Sequence, residues 1–175
     1  MSSLYLLRHG QPDYPRTEEL FPTFAGSRRD FTPLSPEGRE QARIAGERLA
    51  KAGTIDAIFS SPYTRTLETA FIVSGILDLK VIVDIRLHDW LPLKDGRTYL
   101  SETEVDDSIR SYLSREVDQR VESSDEVSLR MNVAAADICT QFPRGALIVS
   151  HQEPICRLAG VEAVQMGEYV QLSYA

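Results

Sequence analysis

Short apolar runs that end abruptly in polar residues, each followed by a longer stretch with apolar residues at helical spacing, constrain this chain more than any other feature. Leu4-Tyr5-Leu6-Leu7 is continuously apolar and stops at Arg8-His9-Gly10, the pattern of a strand buried on both faces of a parallel sheet. Ser35-Pro36 reads as an N-cap followed by proline at the first helical position, with Ala42, Ala45 and Leu49 on one face and Gly53 as a stop. Asp56 to Ser60 predicts a second short strand, and Ser61-Pro62 repeats the cap-and-proline arrangement before Leu67, Ala70 and Phe71 at helical spacing. Val81-Ile82-Val83 predicts a third strand. Asp125 then reads as the N-cap of a helix whose stripe is Val127, Met131, Ala134, Ala135, Ile138 and Phe142, ending before Pro143. Ala146 to Val149 predicts a fourth buried strand, Pro154 marks a helix opening just after His151, and Tyr169 to Tyr174 predicts an edge strand.

Buried strands alternating with amphipathic helices predict an α/β fold: three α/β/α layers around a mostly parallel central sheet. A length of 175 residues predicts one domain, residues 1–175. Residues 84–124 are polar and irregular, carry Trp90, Pro92 and many acids, and are expected to form a small cap insertion above the scaffold. Ligands of such sheets sit beyond the carboxyl ends of the strands. Arg8-His9, Ser61 to Arg65 and His151 each follow a predicted strand, so three polar clusters are expected to converge on one edge.

Several function classes are excluded by charge and patterning. A formal charge of −7 with no Lys/Arg cluster repels nucleic acid and anionic lipid, so no nucleic-acid partner is expected. No segment approaches the ~20 apolar residues needed to cross a bilayer, so no membrane association is expected. Met1-Ser2-Ser3 leads into the first apolar run without a basic region or a cleavage site, and a cytoplasmic location is the expectation. Cys139 and Cys156 have neither metal-ligand spacing nor the density of a disulfide framework and read as buried free thiols.

Of three histidines, His9 and His151 fall at strand ends that the fold would bring together, while His88 lies in the insertion. Alone, each would more often be structural than functional. Their company changes that reading. Leu7-Arg8-His9-Gly10 resembles the signature of the histidine phosphatase superfamily, the phosphoglycerate-mutase-like proteins. The run from Ser60 to Ala70 resembles that family's second motif, and Ile148-Val149-Ser150-His151 resembles its third, in the family's order. Thr32 to Gly38 with Gln41-Ala42, and Glu122-Ser123 ahead of the long helix, extend the resemblance over most of the chain.

The residue types suit the chemistry that this resemblance implies. Neutral imidazole is a competent nucleophile near pH 7, and its attack on phosphorus divides one difficult hydrolysis into formation and breakdown of a phosphoenzyme. His9 is assigned as that nucleophile. Arg8 and Arg65 supply planar, permanently charged donors for phosphate oxygens, and His151, by resemblance, completes the phosphate pocket. A leaving alkoxide needs a proton, and the resemblance implies an Asp or Glu after the third strand. Leu87-His88-Asp89 resembles the family's leucine, any residue, acid pattern, which makes Asp89 the candidate general acid, with Glu102 and Glu104 as untethered alternatives. No metal is expected, since no His-x-x-x-His or cysteine pairing appears and two arginines would repel a dication, and no cofactor is expected either. The expected function is a phosphomonoester hydrolase working through a phosphohistidine.

Three activities compete. A cofactor-dependent mutase must keep water from its phosphoenzyme and hold a bisphosphate, which calls for a longer cap and more basic residues than 84–124 supplies. A regulatory module that binds phosphate without turning it over would be expected to lack His9 or the acid. Hydrolysis is therefore favoured over both. Gln152-Glu153 stands where many relatives place small glycines, near enough to discourage a second phosphate, although Glu153 in a first helical turn is the plainer account. The substrate is expected to be a small phosphorylated metabolite, with a phosphoprotein as the other class. Tyr14, Arg16, Phe21, Phe24, Arg28 and Arg29 are candidate contacts for a leaving group, or merely a packed surface loop.

Overall fold

The computed structural model describes residues 2–20, 28–90 and 121–174, together with 103, 104, 106, 107, 110 and 114. Its strands are β1 (Ser2–Arg8), β2 (Ile58–Ser60), β3 (Val81–Val83), β4 (Gly145–Ser150) and β5 (Tyr169–Tyr174). The helices described along their whole length are α1 (Tyr14–Leu20), α2 (Arg28–Phe31), α3 (Pro36–Ala52), α4 (Thr64–Leu77), α5 (Ser124–Gln141) and α6 (Gln152–Ala159), and a 3-10 turn covers Ile85–Leu87. The five strands form one sheet in the order β3-β2-β4-β1-β5. The pairs β1/β4, β2/β4 and β2/β3 are parallel and β5 runs antiparallel to β1, so the α/β, mostly parallel expectation holds.

Strand alternation builds two cores. Leu4, Leu6, Phe59, Ala146 and Ile148 face Val127, Met131, Ala134, Ala135 and Ile138 of α5 and Ile155 of α6. Their strand neighbours Tyr5, Leu7, Ile58, Leu147 and Val149 face Ala45 and Leu49 of α3 and Ala70 and Val73 of α4. The two-residue period of a strand thus puts a helical layer on each face, which is why the central runs contain no polar interruption. Each fully buried Leu or Ile in these layers contributes about 1.5–3 kcal/mol of transfer free energy.

Helix starts show where sequence cues held and where they were spent elsewhere. Ser35 caps α3 as expected, its side chain accepting from the Gly38 amide. The cap of α5 is Ser123 rather than Asp125: Ser123 and Glu126 form a reciprocal capping box, and Asp125 stands inside the first turn. At α4 the expected Ser61 cap does not form. The chain continues extended past β2, with the Ser61 amide donating to Val149 O, and α4 opens at Thr64, with Tyr63 at the cap position but not capping through its side chain. On α4 the buried face is Arg65, Thr66, Thr69, Ala70 and Val73, while Phe71, expected in the core, is exposed. Most of the expected cap insertion, including Glu102, and Phe21 and Phe24 of the segment after α1 lie outside the described residues.

The turn after β1 needs glycine for proximity. A Cβ on Gly10 would stand 2.2 Å from Gly38 O, and one on Gly38 would stand 2.2 Å from Gln11 O. The turn bearing His9 is therefore pressed backbone to backbone against the start of α3.

Candidate active site

Five residues from four parts of the chain meet at the carboxyl edge of the sheet. Arg8 ends β1, His9 follows it, Arg65 lies in the first turn of α4, Asp89 follows the 3-10 turn, and His151 follows β4 and caps α6. The structure brings together Arg8, His9, Arg65, Asp89 and His151, whereas Glu102, the alternative acid, lies outside the described residues.

Parallel pairing of β1 with β4 sets the two histidines side by side. Arg8 is in register with Ser150, and the His9 amide donates to Ser150 O at 3.1 Å. The imidazoles are 5.2 Å apart between centroids and inclined by 65°. His9 is 5% exposed and His151 1%.

Hydrogen bonds assign the tautomers. His9 Nδ1 is 2.8 Å from Gly10 O, an atom that can only accept, so Nδ1 carries the proton. Arg65 Nε donates to His9 Nε2 at 3.2 Å, which locates the lone pair on Nε2. Burial first, then the guanidinium of Arg65, lowers the His9 pKa to about 3, so the ring is neutral across the physiological range. In His151, Nδ1 accepts from Arg65 Nη2 at 3.1 Å, and Nε2 lies 2.8 Å from Ser61 Oγ. A neutral ring of this tautomer donates from Nε2 to Ser61. Burial, Arg65 and His9 all hold the His151 pKa well below its ordinary value.

Arg65 is the hub. Its residue is 1% exposed, and besides the two imidazoles it donates from Nη2 to Asp89 Oδ2 at 3.2 Å. Its guanidinium lies 5.0 Å from the centroid of the Tyr63 ring, which in turn packs edge-on against His151 at 5.0 Å. Asp89 Oδ2 is also 3.6 Å from His151 Nδ1, and Oδ1 accepts from the Trp90 amide at 3.1 Å. One carboxylate thus faces the guanidinium and the second histidine together.

Arg8 is held from the far side of the site. Its Nη1 donates to Val164 O at 2.8 Å and to Gln152 Oε1, while Nε is buried without a hydrogen-bond partner among the described residues. Burial draws its pKa below the usual guanidinium range. An unpartnered buried donor is costly. Glu153 turns away to Arg157, its partner one helical turn later at 2.6 Å, which supports the plainer reading of that residue.

From sequence, Ser61 and Tyr63 were placed at this edge only as members of the cluster Ser61 to Arg65, without roles, and Thr69 was not singled out. Thr69 Oγ1 accepts from the Gly10 amide at 3.1 Å, and Ser61 orients His151. Their signal was the motif itself, in which Ser61 reads equally well as a helix cap. Among the described residues no cluster of three His, Cys, Asp or Glu could hold a metal ion, and no helix is long and apolar enough to cross a membrane.

Comparison with known proteins gives this arrangement a context. The model of the histidine phosphatase superfamily (branch 1) matches residues 4–169. A protein of Hydrogenobacter thermophilus, provisionally named phosphoserine phosphatase 2, is 31% identical over 170 residues, covering 92% of this chain and 80% of its own. An Escherichia coli protein named "Probable phosphoglycerate mutase GpmB" is 32% identical over 158 residues, covering 86% of this chain and 70% of its own. Among solved structures, a mycobacterial glucosyl-3-phosphoglycerate phosphatase in complex with VO3 superposes with a TM-score of 0.74 at 25% identity, covering 99% of this chain and 91% of that one.

Proposed function

The chain belongs to the histidine phosphatase superfamily, whose members similar to it carry phosphatase and mutase names, and from that premise we propose that it hydrolyses phosphomonoesters through a phosphohistidine on His9. The observation that carries this reading is the state of His9: a buried, neutral imidazole whose proton is tied to Gly10 O and whose lone pair on Nε2 faces Arg65.

In the first step His9 Nε2 attacks phosphorus in line with the ester oxygen, the N–P bond forms and the P–O bond breaks. Asp89 takes up a proton as Arg65 leaves it for the phosphate, and passes that proton to the leaving alkoxide. In the second step Asp89, now a carboxylate, accepts a proton from water, the hydroxyl adds to phosphorus and the P–N bond breaks. Inorganic phosphate leaves, and His9 and Asp89 return to their starting states. Arg8 and Arg65 donate to the phosphoryl oxygens while charge redistributes, and His151 joins them by taking up a proton at Nδ1, the nitrogen that Arg65 vacates as it turns to the phosphate. Arg65 must exchange its bond to His9 Nε2 for bonds to phosphate before attack, since the lone pair it engages is the attacking pair. The proposed substrate is a small phosphorylated metabolite.

Partitioning of the phosphoryl group tests hydrolysis against mutase action. With 3-phosphoglycerate, hydrolysis releases inorganic phosphate and glycerate in equal amounts, whereas a mutase yields 2-phosphoglycerate with no free phosphate. If 3-phosphoglycerate is not turned over, a panel of sugar and amino-acid phosphates carries the same test. Phosphate release abolished in His9→Ala supports the proposal, and isomer formation without release would replace it by the mutase reading.

A further inference from the structure

Beyond β3 the chain leaves the sheet at Val83, and in the segment that ends at Asp89 the carbonyls of Asp84 and Ile85 accept from the amides of Leu87 and His88, while others take side-chain donors. Three are held in this way. Arg130, on α5, donates from Nη1 to Arg86 O at 2.7 Å and from Nη2 to Asp89 O at 3.1 Å, and Ser150 Oγ donates to Leu87 O at 2.7 Å. Arg130 is itself clamped by Glu122, which accepts from Nε at 2.6 Å and from Nη2 at 3.1 Å. Both partners are largely buried, with side-chain exposures of 15% and 8%.

A buried ion pair is weak support for stability, because apolar replacements of similar volume are often neutral or better. Here the pair does something an apolar pair cannot: its guanidinium fork bonds the backbone on both sides of His88 and fixes where the Asp89 main chain sits. We propose that Arg130, oriented by Glu122, is a positioning residue for Asp89, holding its carboxyl where the leaving oxygen is protonated. The proposal rests on the reading of Asp89 as general acid. A misplacement of ~1 Å in such a group costs roughly 10²-fold in rate.

Leaving-group dependence separates this role from a merely structural one. An ester of 2,4-dinitrophenol expels its leaving group without a proton, whereas phenyl phosphate needs one. Read in kcat/KM, which covers only the steps up to release of the alcohol and so precedes the action of Asp89 as base, Asp89→Asn should lose about 10²-fold or more on phenyl phosphate and only a few-fold on the dinitrophenyl ester. The double variant Arg130→Met with Glu122→Gln, which strands no charge, should show the same selectivity, with a loss of about 10-fold or more in kcat/KM on phenyl phosphate and little loss on the dinitrophenyl ester. Should it fail to fold, Arg130→Lys keeps the charge beside Glu122 but cannot reach both carbonyls, and it should show the same selective loss. Equal losses on both esters, or none on either, in a folded Arg130 variant while Asp89→Asn remains selective would overturn the clamp alone. An unselective Asp89→Asn would overturn the acid assignment and the clamp with it.

Discussion

Arg65 Nε donates to His9 Nε2 at 3.2 Å, so the cation of the phosphate pocket sits on the lone pair of the proposed nucleophile. The same guanidinium reaches His151 and Asp89, and this sharing explains why a charged side chain is buried to 2% exposure. Arg65→Lys retains the charge but offers one compact ammonium in place of a planar fork. It should lower kcat/KM by on the order of 10²–10³-fold, the range for losing a preorganised transition-state donor, while the protein remains folded. Steady-state kinetics beside a denaturation curve checks both parts.

Ser61→Ala removes the acceptor of the His151 Nε2 proton and leaves that donor buried. A stability loss of about 1–3 kcal/mol is expected. Freed from Ser61, His151 should populate both tautomers, which nitrogen chemical shifts of labelled histidine report directly. Had Ser61 been the helix cap that its sequence suggests, the substitution would shorten α4 and leave the imidazole untouched.

Placing a methyl group on Gly10 should be felt at the nucleophile. Gly10→Ala drives a Cβ into the backbone of Gly38, neither side can yield as a flexible side chain would, and a cost of about 1–3 kcal/mol follows. Because His9 adjoins this crossing, activity should fall further than stability alone explains. Urea unfolding together with kcat on one aryl phosphate measures the two effects.

Burial of two neutral histidines makes the fold sensitive to acid. The pKa of His9 is near 3 in the folded protein and about 6.5 unfolded, so between these values the unfolded chain binds the additional proton. Stability therefore rises with pH in that window and is lost as pH falls below about 6.5, with a slope approaching ~1.4 kcal/mol per pH unit from His9 alone. His151 is displaced in the same direction and adds to the loss. In His9→Asn the slope between pH 4 and 6 should be shallower by about that amount, as read from urea unfolding at several pH values. An unchanged slope would mean that His9 is not held neutral by the fold.

What was legible in the sequence follows from how locally each feature is encoded. Leu4 to Leu7 and Ala146 to Val149 declared themselves because central parallel strands are apolar on both faces. His9, Arg65 and His151 stood out because each follows a strand end within a motif. The role of Ser61 was not legible, since a serine before a proline satisfies the local rule for a cap and its actual partner is 90 residues away. The Arg130 clamp was hidden for the same reason: its acceptors are main-chain carbonyls, which every residue possesses and no sequence pattern displays. Phe71 misled because period alone does not say which of two adjacent apolar positions faces the sheet.

The central claim is that phosphorus becomes bonded to His9, and the mass of the intact protein after brief mixing with an aryl phosphate and an alkaline quench tests it most directly. The account predicts a single phosphoryl adduct, labile to acid and absent from His9→Ala. An adduct that persists in His9→Ala, or that survives acid, would contradict it.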